Sequence, residues 1–141
     1  MLKNEYDKDP EPINLHIQSS GGSLLHSIYI IDLIQSIETP VYTYIDGFAA
    51  SAATLISVVG KKRYMTKNSL MLIHQLSGGM NGKFFEMKDE NENIDALMNF
   101  IIKTYLENTK IKEKKLQDIL KRDIWLNSSF CLKNRLVDEI I

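Results

Sequence analysis

The chain has 141 residues, 44% of them hydrophobic and 25% charged, with a formal net charge of −1. That length fits one domain, residues 1–141, with a core of real size. The balance of 17 basic and 18 acidic residues excludes a broad basic surface for nucleic acid, no apolar run is long enough to span a membrane, and the one cysteine cannot form an internal disulfide, which points to a cytoplasmic setting.

Residues 1–12 form a polar, acidic lead-in unlike a secretory leader. Ile13–Gln18 alternates Ile13, Leu15 and Ile17 against Asn14, His16 and Gln18, which is strand periodicity. Ser19–Ser23 is a turn, and Ser23 can cap a helix from Leu24 to about Ile37. Thr39-Pro40 stops that helix. Val41–Ile45 is the next strand, Asp46-Gly47 turns the chain, and Ala49 to about Val59 reads as a small-residue helix with Gly60 as its cap. Arg63–Thr66 and Leu70–His74 are two short strands around Lys67-Asn68. Gly78, Gly79 and Gly82 mark a loop. A long helix follows, from Lys83 to about Glu107, with the stripe Phe84, Met87, Ile94, Leu97, Met98, Ile101, Ile102 and Tyr105. Thr109 can cap a further helix reaching about Lys121. A short helix over 128–134 and a strand over Leu136–Ile140 close the chain. The β-α-β-α-β order implies an α/β fold with parallel pairing and right-handed crossovers.

Two strand-to-helix turns bring small residues to a helix start: Ser19–Ser23, with its Gly-Gly pair, and Gly47–Ala52. Ligands of parallel α/β folds gather at the carboxyl ends of strands, and two helix starts side by side could supply an oxyanion hole. No dinucleotide fingerprint, phosphate loop or G-x-S-x-G elbow is present. Ser51 is a candidate nucleophile at a helix start, and His74, ending an apolar strand, is its candidate base. His16 lies within a strand and His26 in the first turn of a helix, which suits them less. Asp123, Asp46 and Asp138 compete as the acid. Three scattered histidines and one distant cysteine offer no metal-binding spacing.

Taken in order, Ile13–Ser23, Gly47-Phe48-Ala49-Ala50-Ser51, Met71-Leu72-Ile73-His74-Gln75 with Gly78-Gly79, Arg122-Asp123 and Leu136–Glu139 resemble the motifs of one family. These are the ClpP-type serine peptidases, proteolytic subunits of the Clp protease, in the ClpP/crotonase-like superfamily. The resemblance implies stacked βαβ units with a protruding handle helix in the region of about 75–107. It implies Ser51 as nucleophile, His74 as base and Asp123 as the third member of a triad. It makes the backbone N–H groups of Gly22 and Ala52 the oxyanion donors, and docks peptide as an added strand beside Ser23, Leu24 and Leu25. It calls for no cofactor and no metal. Its substrates are peptides and unfolded proteins, its assembly two stacked heptameric rings of identical subunits, and its partner an AAA+ unfoldase.

The chain departs from that pattern at several places. Ser20 and Leu76 stand where the family usually has proline, Ala52 where it has methionine, and Asn134-Arg135 where a glycine ends the last helix. Asn134 could take the left-handed cap. The family's gating loop, first strand and first helix have no counterpart ahead of Ile13, which leaves the unfoldase partner open. A core without them should expose apolar surface that something else covers. Two alternatives share the fold: a weakly active or inactive ring or partner subunit, and a crotonase-like acyl-CoA enzyme with paired N–H donors but no serine–histidine relay. The joint presence of Ser51, His74 and Asp123 favours the peptidase.

Overall fold

A computed structural model describes residues 10–141; most of the expected lead-in therefore lies outside the described residues. The elements are β1 (Ile13–Ser19), α1 (Leu24–Ser36), β2 (Val41–Ala50), α2 (Ala52–Val58), β3 (Lys62–Met65), β4 (Leu70–Leu72), α3 (Phe84–Asn108), α4 (Glu113–Leu120), β5 (Trp125–Asn127), α5 (Ser128–Lys133) and β6 (Glu139–Ile140). β1 pairs with β2, β2 with β3 and β4, and β3 with β6, all in parallel. The helices α1 and α2 make the β1-α1-β2 and β2-α2-β3 crossovers, so the α/β architecture is as the element order implies. One pairing differs: β5, which alternation did not reveal, lies antiparallel to β4. Three residues are too few to show a period.

β2 also differs from expectation. It does not end at Ile45 but runs through Asp46-Gly47 to Ala50, and the helix starts at Ala52 rather than Ala49. The chain bends at that point, because Ile17 and Ser19 of β1 face Ile45 and Ala49 of β2, leaving extra residues on β2. The buried Ser69 hydroxyl mends the ladder by accepting from Gly47 N–H at 2.7 Å and donating to Ile45 C=O at 3.0 Å. The ten-residue strand thereby serves β3 with residues 42–45 and β4 with residues 48–50. The Lys67-Asn68 turn carries the chain from one to the other, so β3 and β4 do not pair with each other.

α2 is the most enclosed helix, with Ala52, Ala53, Thr54, Leu55, Ser57 and Val58 all buried. Gly60 beyond it serves space, not a left-handed cap: a Cβ there would meet Thr43 Oγ1 at 2.6 Å. α3, at 25 residues, is roughly 37 Å long. Its start is exposed, including Phe84, Phe85 and Met87, while Ile101, Thr104 and Tyr105 are packed into the body. That is the form of a handle helix. Thr109 closes α3 by donating to Tyr105 C=O instead of capping α4, whose N-cap is Lys112. Cys131 is wholly buried, and burial pushes its thiol up to about 12. Among the described residues no helix is long and apolar enough to cross a membrane.

The last strand is shorter than expected. Leu136 and Val137 leave it to enter the core, and Glu139-Ile140 alone pairs with β3. The left-handed residue after α5 is Arg135, at φ 57°, not Asn134. Leu136 N–H bonds Cys131 C=O at 2.9 Å and Arg135 N–H bonds Leu132 C=O at 3.1 Å, a Schellman closure with arginine in glycine's usual place. Arg63 ties the same region together. Its guanidinium holds Asp138 at 2.8 and 3.1 Å and reaches the carbonyls of Val58 and Asn108. Partial burial raises the Asp138 pKa, but bonding and attraction to Arg63 outweigh it and hold the carboxyl below its ordinary value.

Arg135→Gly relieves the left-handed strain and is expected to stabilise the fold by about 1 kcal/mol, read as a higher urea midpoint. The depressed Asp138 pKa contributes stability above the unfolded carboxylate value of about 3.9, and that contribution is lost as pH falls through the folded value. Urea unfolding should therefore separate wild type from Asp138→Asn at pH 6, with the gap narrowing below about pH 4.

Candidate active site

Ser51 is the single residue between β2 and α2, at φ 56° and ψ −131°. A side chain in that region costs on the order of 1–3 kcal/mol and persists only where surroundings enforce it. They do so here on both sides of the residue. Ser51 N–H donates to Leu72 C=O at 2.8 Å. Ser51 C=O accepts from Thr54 N–H at 2.9 Å and from the Thr54 hydroxyl at 2.6 Å. The strand thus turns sharply into the helix at the carboxyl edge of the sheet.

Register brings the candidate base and the candidate acid to the same edge. Ala50 pairs with Leu72 across the parallel β2·β4 ladder, so His74 follows β4 as Ser51 follows β2. Leu72 pairs with Trp125 across the antiparallel β4·β5 ladder, and two residues beyond that pair on each strand are His74 and Asp123. His74 Nδ1 lies 2.8 Å from Asp123 Oδ1. An ionised carboxylate only accepts, so Nδ1 carries the proton and Nε2 is left as the basic nitrogen. Gln75 N–H then pins the chain to Leu120 C=O at 2.7 Å. The His74 side chain is 27% exposed and that of Asp123 80%. Ser51 Oγ makes no hydrogen bond among the described residues.

The rival acids are engaged elsewhere. Asp46 pairs with His16 at 2.8 Å, on a cross-strand stack of His16, Tyr44 and Tyr64. Asp138 belongs to Arg63. His26 sits in the first turn of α1, accounting for the third histidine. Among the described residues no group of three or more His, Cys, Asp and Glu could hold a metal.

The Gly-Gly turn abuts the Ser51 turn. A Cβ on Gly21, at φ 92°, would meet Ala50 O at 2.7 Å, Ser51 Cβ at 2.8 Å and Ala52 N at 3.0 Å. The two candidate oxyanion donors are the N–H groups of Gly22 and Ala52, and neither has an acceptor among the described residues. Ser23 is extended, at ψ 122°, and caps α1 by accepting from His26 N–H. Leu24 and Leu25 already lie in the first turn of α1, with Leu24 buried. Of the three residues expected to align a peptide strand, only Ser23 therefore offers extended backbone. Leu76, where a proline was the family habit, donates its N–H to Met98 Sδ of α3 at 3.2 Å. Thr54 was missed as a site neighbour; its signal was a hydroxyl within an otherwise alanine-rich stretch.

Gly21→Ala puts a side chain at a left-handed φ and makes two contacts too short to keep, with a third tight one at Ala52 N. It should destabilise the protein by about 2 kcal/mol or more in urea unfolding, with loss of any activity at Ser51.

A model of the Clp protease family matches residues 1–141. The chain is 34% identical over 132 residues to the ATP-dependent Clp protease proteolytic subunit 2 of Treponema denticola. That alignment covers 92% of this chain and 66% of the relative, so the chain spans just under two thirds of the relative's length. The sharp turn at Ser51, the His74–Asp123 pair, the α/β sheet and the handle helix thus sit in a chain that belongs to the Clp protease family.

Proposed function

We propose that this chain is a serine endopeptidase that cleaves peptides and unfolded proteins within an oligomeric chamber. The observation that carries this is the His74–Asp123 bond at 2.8 Å, formed by strand register at the edge where the strained turn presents Ser51. Ser51 Oγ attacks the peptide carbonyl as His74 Nε2 takes its proton. Asp123 keeps Nδ1 protonated and stabilises the imidazolium. The N–H groups of Gly22 and Ala52 receive the oxyanion. His74 returns the proton to the leaving amine, and water, deprotonated by His74 in turn, releases the acyl group.

Substrate lies extended beside Ser23, with Leu24 and Leu25 as the neighbouring helix start. Identical copies form the chamber, as stacked heptameric rings. Exposed apolar side chains support assembly: Leu25 is 66% exposed and Tyr29 69%, followed by Leu33 on the same face of α1, with Phe84 and Phe85 on the handle. The relative's name describes ATP dependence, and this chain carries no phosphate loop, so ATP would be used by a separate AAA+ unfoldase. The setting is cytoplasmic. A second reading, a weakly active or inactive ring or partner subunit, is favoured by one observation: Ser51 Oγ makes no hydrogen bond among the described residues.

A fluorophosphonate probe tests the choice. Ser51 should be labelled in the folded protein, not in Ser51→Ala, and light scattering should report a multi-subunit particle. Asp123→Asn should slow peptide hydrolysis by about 10³–10⁴-fold, whereas Asp46→Asn should change it by about twofold at most, since that pair is a surface one. Folded protein that stays unlabelled beside a reacting control hydrolase would leave the inactive-subunit reading in its place.

A further inference from the structure

The Ser51 carbonyl and the Ala52 N–H belong to one planar peptide group and point in opposite directions. Whatever fixes the carbonyl also aims the N–H. The carbonyl is gripped twice by Thr54, through its N–H at 2.9 Å and its hydroxyl at 2.6 Å. Thr54 has one hydroxyl proton, and that bond uses it. The contact of 2.5 Å between Thr54 Oγ1 and Tyr105 Oη is therefore donated by the phenol. The chain of bonds runs from α3, through the Thr54 hydroxyl of α2, to the peptide that follows the nucleophile. Both side chains are buried, Thr54 wholly and Tyr105 to within 2%, so water does not compete. Burial pushes the phenol pKa well above its usual range, against the opposing pull of the bond with Thr54, and Tyr105 stays a donor at any assay pH.

We propose that Thr54 and Tyr105 are positioning residues that lock the Ser51–Ala52 peptide plane and so aim the Ala52 N–H at the oxyanion. This deepens the serine-peptidase reading and rests on it. Hydrogen bonds weaken steeply with angle, so a small rotation of the plane removes stabilisation at the point where negative charge develops. The Thr54 N–H would still hold the carbonyl without the hydroxyl. The hydroxyl and the phenol behind it remove the remaining freedom, and they link that plane to the handle helix.

The assembled enzyme is assayed with a fluorogenic peptide, and a peptide boronate, which places an anionic oxygen in the oxyanion position, is titrated in parallel. Thr54→Val should lower kcat by about 10–100-fold with KM nearly unchanged, and should weaken boronate binding by a similar factor. Thr54→Ser keeps the donor and should recover kcat to within about threefold of wild type. Tyr105→Phe leaves the Thr54–Ser51 bond in place and should cost about 3–10-fold in kcat. Unfolding midpoints and particle size are measured on every variant, because a purely structural role would move these and spare kcat and boronate affinity in the folded fraction. Wild-type kcat and boronate affinity in folded Thr54→Val overturn the proposal. Should that variant fail to fold, the same result in Tyr105→Phe overturns it. A wild type that fluorophosphonate does not label removes the peptidase reading and this role together, whereas an active wild type with unaffected variants removes this role alone.

Discussion

One backbone conformation governs the arrangement of the site. Ser51 carries a side chain at φ 56°, held there by its N–H donating to Leu72 C=O and by two bonds that its C=O accepts from Thr54. Each has a structural requirement. The Leu72 carbonyl has to lie beside the end of β2, so β4 must pair with residues 48–50 and not with the earlier half of the strand. Thr54 has to follow at once, so α2 must begin at Ala52 with no intervening loop. The space left by this turn admits a neighbouring backbone only where no Cβ intervenes, and Gly21 supplies it. The candidate nucleophile and both candidate oxyanion donors are therefore drawn together by one strained residue and its supports.

Those supports depend in turn on β2 being long. A strand stopping at Ile45 would have paired with β1 and β3 and left β4 with β5 alone, cut off from the rest of the sheet. The bend at Asp46-Gly47 takes Gly47 N–H out of the ladder, and leaving it without a partner would cost about 1–3 kcal/mol. The Ser69 hydroxyl accepts from it and donates to Ile45 C=O, which also takes a bond from Thr66 N–H. A single buried serine thus lets one strand serve two neighbours, and β4 then recruits β5, which delivers Asp123.

The sequence was most legible where many residues repeat one signal. The apolar steps of α1 and α3 and the alternation of β1 mark helix and strand because each turn or pleat adds another vote. The order of Ser51, His74 and Asp123 could be read because the surrounding motifs resemble those of a known family. Legibility failed where one residue or one register decides. β5 is three residues long and acquires its identity from β4. Asp46-Gly47 has turn chemistry, yet tertiary pairing keeps it in a strand. Arg135 takes a left-handed φ that local preference assigns to Asn134, because closing α5 with Leu136 in the core leaves it no other conformation. Tyr105 read as one more apolar residue of a helical stripe, since a period records burial and not the bond a hydroxyl makes.

Hydrogen-bond length does not separate the two histidine–aspartate pairs of this chain. His16–Asp46 and His74–Asp123 both measure 2.8 Å, and both are open to solvent. Arg63–Asp138, by contrast, is held by a two-armed fork, with the Arg63 side chain 11% exposed. What distinguishes His74–Asp123 is its place at the Ser51 edge. In water a pair of charges about 4 Å apart attract by about 1 kcal/mol, and by several times that once water is excluded. The Asp123 side chain is 80% exposed, so its attraction for a protonated imidazole lies near the aqueous limit. The segment leaving His74 leads directly into α3, whose first turns carry the exposed Phe84, Phe85 and Met87. Residues 75–83 alone separate His74 from the exposed apolar start of α3, and the buried end of the same helix reaches the Ser51 peptide through Tyr105 and Thr54.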